Sequence, residues 1–142
     1  MERRDVIRFN LPNRPEYCDV VRLTAAGIAR KAGFKDEGID DIKTAVSEAC
    51  INVVRHAYNG KGGEMRLSFF IASDGLEVLV EDSGDGFDVN GAMEKAVALD
   101  PNQPRTSGFG LLIMRSLMDE VEIISEPKSG SRVRLKKHLS AT

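Results

Sequence analysis

The sequence predicts an α+β fold, a two-layer sandwich of the type in which helices cover one face of a mostly antiparallel sheet. Three observations carry that expectation: two successive amphipathic helical stretches between residues 15 and 58, a hairpin signal around Asp74-Gly75, and a second hairpin either side of Lys128 to Gly130. The chain has 142 residues, 42% of them hydrophobic, which suits one domain with one core. No linker, internal repeat or low-complexity tract divides it, and a single domain over residues 1–142 is expected.

Taken in order, VIRFNLP alternates apolar and polar side chains at Ile7, Phe9 and Leu11 and stops at Pro12, which reads as an edge strand. From Pro15 to about Ala32, Val20, Val21, Leu23, Ile28 and Ala29 fit one helix, with Gly33 placed to end it. A second helix opens at Asp36 or Asp40 and runs to about Tyr58, where NGKGG forms a turn. EMRLSFFIAS and GLEVLVEDS are two antiparallel strands, with Asp74-Gly75 supplying the positive φ of a tight turn. The segment from Asp82 to Gly110 is rich in Gly, Pro, Asn and Asp, with one short helical hint at Ala92 to Leu99; a connection of that length is usually a binding loop or lid. Helix returns from Gly110 to Met118, and VEIISEP and SRVRLKKHL close the chain as the final hairpin.

Composition removes several function classes. Lys and Arg total 20 against 22 acids, a net charge of −2, so nothing favours a non-specific grip on nucleic acid. No apolar run approaches the ~20 residues that span a bilayer, and the charged start MERRDVIRFN lacks the apolar segment of a secretory leader. A cytoplasmic protein is expected, with no membrane and no direct nucleic-acid partner. Cys18 and Cys50 form no CxxC and are expected as free, small apolar fillers. With His56 and His138 as its two histidines, the chain is short of transition-metal ligands.

Three features bear on chemistry. At ~100° per residue, Ile42, Ala45, Val46, Ala49, Val53 and Ala57 form one apolar stripe on the second helix, and Glu48, Asn52 and Arg55 fall together beside it. On residues alone these three are either a solvated rim or groups aimed at one ligand along the helix flank. Asp82-Ser83-Gly84-Asp85-Gly86 is either a turn or a site at a strand end, and Ser107-Gly108-Phe109-Gly110-Leu111 either a helix cap or a cradle whose N–H groups receive phosphate. The sequence contains neither GxxxxGK[ST] nor GxGxxG after a strand, and GDG lacks the rest of an EF-hand loop.

Glu48-x-x-x-Asn52, Asp82-x-Gly84-x-Gly86 and Gly108-x-Gly110 together resemble, in order and spacing, the N, G1 and G2 boxes of the GHKL (Bergerat) ATPase superfamily, which includes gyrase, MutL and the histidine-kinase ATP domains. PEYCDVVRLTAAGIA, IDDIKTAVSEACINVVRHAY, GFGLLIMRSLMDEVEI and RLKKHLS look most like the bacterial anti-sigma factor serine kinases, that is, the anti-sigma B kinases and their sporulation relatives. The resemblance implies roles. Asn52 would give a hard oxygen to Mg2+ and Glu48 would act as general base near the γ-phosphate of ATP. Asp82 would accept from the adenine amino group, with Ser131 standing where the family usually has Thr. Gly84 and Gly86 would close around the base, and Ser107, Gly108 and Gly110 would offer N–H groups to the phosphates. Arg55, Arg105 and Thr106 would add phosphate contacts, and residues 87–106 would form the ATP lid.

The resemblance thus implies an ATP-dependent protein-serine kinase and anti-sigma factor. It would phosphorylate an anti-anti-sigma protein, sequester an RNA polymerase sigma factor in the other partner state, and act as a homodimer; the polar and apolar mix on the first helix, including Arg22, is where partner contacts are expected. Two rivals are a catalytically silent ATP-binding anti-sigma module, against which Glu48 counts, and the ATP domain of a two-component histidine kinase, for which the sequence shows no phosphoacceptor helix pair.

Overall fold

In the computed structural model, residues 3–56, 63–82, 107–126 and 130–139 are described. Strand β1 (Arg3–Pro12) leads through a single 3-10 turn (Pro15–Tyr17) into helices α1 (Cys18–Lys31) and α2 (Asp36–His56). Strands β2 (Glu64–Ala72) and β3 (Gly75–Asp82) follow, then helix α3 (Ser107–Leu117) and strands β4 (Glu120–Glu126) and β5 (Gly130–His138). The five strands form one sheet in the order β1-β2-β3-β5-β4, and every neighbouring pair is antiparallel.

Alternation along the strands separates the two faces. Met65, Leu67 and Phe69 of β2, Leu76, Val78 and Val80 of β3, and Val133 and Leu135 of β5 are fully buried and join the buried faces of all three helices in one cluster. The cross-strand pairs Phe69 with Val78 and Val80 with Val133 put these residues on the same side. On the other side, Arg134 donates to Glu77 at 2.9 Å, tying β5 to β3, and Arg8 lies 5.7 Å over the Phe70 ring. This is the expected sandwich, with helices on one face.

Helix α2 organises the helical layer, contacting α1, α3, β3 and β5. Its predicted stripe is real: Ile42, Ala45, Val46, Ala49 and Val53 are all 0% exposed, while Ala57 and Tyr58 lie outside the described residues. Burying a Val or Ile side chain contributes roughly 1.5–3 kcal/mol, more than the fraction of a kcal/mol that β-branching costs in a helix, so packing decides this element. Helix α1 ends as Gly33 suggests. With φ at 103°, Gly33 donates to the Arg30 carbonyl while Phe34 donates to the Ala29 carbonyl, the paired bonds of a Schellman motif.

Two expectations need correction. Ala72 pairs with Gly75, so the hairpin turn is Ser73-Asp74 and not Asp74-Gly75, and Gly75 is not among the described glycines with positive φ. The glycine is required for another reason: a Cβ there would run into the Lys137 carbonyl oxygen and approach the His138 Cα at 3.0 Å. Helix α3 begins at Ser107, three residues before the expected Gly110, so Gly108 and Gly110 belong to its first turn. The cost of about 1 kcal/mol for glycine in a helix did not set the boundary, because a tertiary contact described below holds Gly110 in place.

Gly75→Ala is expected to lower stability by about 1–3 kcal/mol, since β3 and β5 must separate to admit the methyl group. Gly27→Ala on the exposed side of α1, where a Cβ meets nothing within 4 Å, should instead raise it by up to about 1 kcal/mol. Thermal melts of the two variants should move in opposite directions; a shared direction would contradict the packing reason given for Gly75.

Candidate functional site

Glu48 and Asn52 lie one turn apart on α2, at the edge of its apolar stripe, yet they are not a solvated rim. Their exposures are 6% and 1%. Helix α3 covers them. A Cβ built on Gly110 would stand 3.0 Å from Glu48 Oε2, 3.1 Å from Asn52 Nδ2 and 3.2 Å from Asn52 Oδ1. The contact is therefore tight enough that any Cβ would push Glu48 and Asn52 aside by a few tenths of an ångström, and it joins two motifs that are distant in sequence. Arg55, a turn further along α2, is exposed.

Both polar atoms of the Asn52 carboxamide are buried without a hydrogen-bond partner. An amide left in that condition costs about 1–3 kcal/mol, so its orientation beside a carboxylate fits a ligand-binding role better than a packing one. A carboxamide oxygen is a hard donor suited to Mg2+, and both polar atoms of this one are unpaired beside a carboxylate; the residues present fit a magnesium-nucleotide.

A second pair forms at the end of the sheet. Asp82 is the last residue of β3, and register sets it directly opposite Ser131 of β5, which follows Gly130 at φ 90°. Ser131 Oγ donates to Asp82 Oδ2 at 3.2 Å; Ser131 is buried and Asp82 half-buried, so the hydroxyl helps fix the carboxylate. Asp82 also pairs with Met65 on its other side, and the Met65 sulfur lies 3.4 Å from Cys50 Sγ. Cys50 sits between Glu48 and Asn52 in sequence, so one sulfur contact links the middle of α2 to the strand pair that holds Asp82. Nothing in the sequence singled out Met65, because its place depends on strand register.

Of the other predicted residues, Ser107 and Gly108 have their backbone in the first turn of α3. Gly84, Gly86, Arg105 and Thr106, with the lid 87–106, lie outside the described residues. His56 ends α2, while His138 is exposed at the end of β5 and donates its backbone N–H to Asp119 Oδ2 at 2.7 Å. Among the described residues no three His, Cys, Asp or Glu side chains gather as a metal cluster, and no helix is long and apolar enough to cross a membrane.

Residues 11–137 match the family described as the histidine kinase-like ATPase domain. The chain is 38% identical over 143 aligned positions to the serine-protein kinase RsbW of Bacillus cereus, covering 98% of this chain and 88% of that one. It is 41% identical over 128 positions to RsbW of Oceanobacillus iheyensis, covering 87% and 81%. Among solved structures, the RsbU and RsbW domains of a Mycobacterium tuberculosis protein superpose with a TM-score of 0.70 at 20% identity, covering 98% of this chain and 34% of that one. The chain thus spans about a third of the length of that solved chain. The histidine kinase domain of a blue-light activated kinase from Erythrobacter litoralis superposes with a TM-score of 0.54 at 21% identity, covering 91% and 62%. These two likenesses speak for the fold, and the curated sequences for the family. Matched over nearly its whole length, the chain belongs to the histidine kinase-like ATPase domain family and, within it, to the RsbW serine-protein kinases.

Proposed function

We propose that this chain is an ATP-dependent protein-serine kinase and anti-sigma factor, phosphorylating a serine of a small anti-anti-sigma protein and sequestering an RNA polymerase sigma factor in the alternative partner state. The observation that carries the catalytic part is the buried Glu48 carboxylate beside the unpartnered Asn52 carboxamide, both held under Gly110. Magnesium-ATP, when bound, supplies the phosphoryl group and an electrophilic phosphorus.

The chain's residues do the rest. Glu48 accepts the proton of the attacking serine hydroxyl, and its near-complete burial keeps competing water away from that exchange. Asn52 offers its oxygen to the cation. Asp82, braced by Ser131, accepts from the adenine amino group and disfavours guanine, which presents an oxygen at that place. Gly84 and Gly86 let the backbone approach the base, while the N–H groups of Ser107, Gly108 and Gly110, with Arg55, Arg105 and Thr106, serve the phosphates. Residues 87–106 act as the lid.

Partner choice then rests on differential affinity between nucleotide and phosphorylation states. On the outer side of α1, Leu23 is 74% and Val20 44% exposed beside Arg22, a mixed apolar and cationic patch suited to a protein partner or a second copy in a homodimer. The action is placed in the cytoplasm.

Glu48→Gln keeps the side chain's shape and removes the base. It should lower phosphotransfer to an anti-anti-sigma partner by about 100-fold or more while leaving magnesium-ATP affinity within a few-fold, read by intact mass of the partner and by calorimetry. Wild-type transfer in this variant would overturn the assignment. Asp82→Asn should weaken ATP binding by roughly 10-fold to 100-fold, the scale of one acceptor turned against a donor, and an unchanged calorimetric affinity would remove Asp82 from the adenine contact. Gly110→Ala should cost about 10-fold or more in ATP affinity with the fold retained, because the methyl group displaces Glu48 and Asn52; tight binding by this variant would show that α3 shifts freely.

A further inference from the structure

The two cysteines meet. Cys18 Sγ and Cys50 Sγ stand 2.8 Å apart, 32 residues distant in sequence, at the junction of α1 with the centre of α2. Both are free thiols, 7% and 0% exposed. The separation is too short for a shared metal: two thiolates at about 2.3 Å from one tetrahedral ion would be roughly 3.7 Å apart. It is within an ångström of the ~2.05 Å of a sulfur–sulfur bond. Local chemistry makes the two thiols unequal. Cys18 opens α1 directly after the 3-10 turn, and it is the more exposed of the pair. The hydrogen bond with Cys50 lowers the Cys18 pKa against the opposing effects of burial and the neighbouring Asp19, whereas the same bond and deep burial raise that of Cys50.

We propose that Cys18 and Cys50 form a peroxide-oxidised dithiol site, in which Cys18 is oxidised first and Cys50 resolves it to an intramolecular disulfide pinning α1 to α2. The Cys18 thiolate sulfur attacks one oxygen of hydrogen peroxide; the O–O bond breaks, the departing hydroxide takes up a proton as water, and Cys18 becomes a sulfenic acid. The Cys50 sulfur gives up its proton and attacks the Cys18 sulfur; the S–O bond breaks and the hydroxyl leaves with that proton as a second water. The two sulfurs lose two electrons in all and peroxide gains them. The resting protein stays reduced, as a reducing compartment requires, and the bond forms transiently under oxidant.

The chain has 2 cysteines, so an intramolecular disulfide can be assigned from mass alone. The full-length protein is treated with hydrogen peroxide in native buffer, then denatured with N-ethylmaleimide and weighed intact. The expected product is a single chain about 2 Da lighter than the reduced form, carrying no maleimide and restored by dithiothreitol. Cys18→Ser should show no such loss and carry one maleimide on Cys50. Two maleimides per wild-type chain after oxidant, a gain of about 32 Da from a sulfinic acid without disulfide, or a two-chain disulfide would each overturn the proposal.

Discussion

The site depends on the approach of two helices at one residue. Helix α2 presents Glu48 and Asn52 to the first turn of α3, and α3 comes close enough at Gly110 to seal both from water. A residue lacking a side chain lets the helices meet at that distance with Glu48 and Asn52 undisplaced, and Gly110 occupies that position. The polar pair is thereby kept at 6% and 1% exposure while Asn52 keeps its hydrogen-bonding capacity unspent. The sheet contributes the other half of the arrangement, since the antiparallel register of β3 and β5 is what faces Asp82 with Ser131.

Local signals in the sequence were read most faithfully where local physics decides. The apolar stripe of α2 and the Gly33 stop of α1 depend on residues within a few positions of one another, and both hold in the structure. The hairpin turn has the opposite origin: Asp-Gly reads as a turn dipeptide, but Gly75 is selected by the Lys137 and His138 backbone, which lies over sixty residues away. The start of α3 shows the same effect, as Gly110 looks like a loop residue until Glu48 and Asn52 are seen beneath it.

The site divides in a similar way. Spacing on one helix brought Glu48 and Asn52 together, and motif order tied them to Gly110 and Asp82, all of which lie among the described residues. The pairing of Ser131 with Asp82 required the strand order β3-β5-β4, a non-local fact. The sulfur contacts among Cys18, Cys50 and Met65 left no trace in spacing, because they arise from α1, α2 and β2 meeting in the core.

The position of β5 between β3 and β4 has a consequence for how the chain is made. Residues 3–82 already contain β1, α1, α2, β2 and β3, enough to begin a core, but the outer edge of β3 has no neighbour until residues 130–138 emerge. During synthesis that edge presents unpaired backbone groups, flanked by Leu76, Val78 and Val80, to any strand that passes. Pairing with β5 closes that edge, and the Glu77–Arg134 ion pair spans the seam it forms.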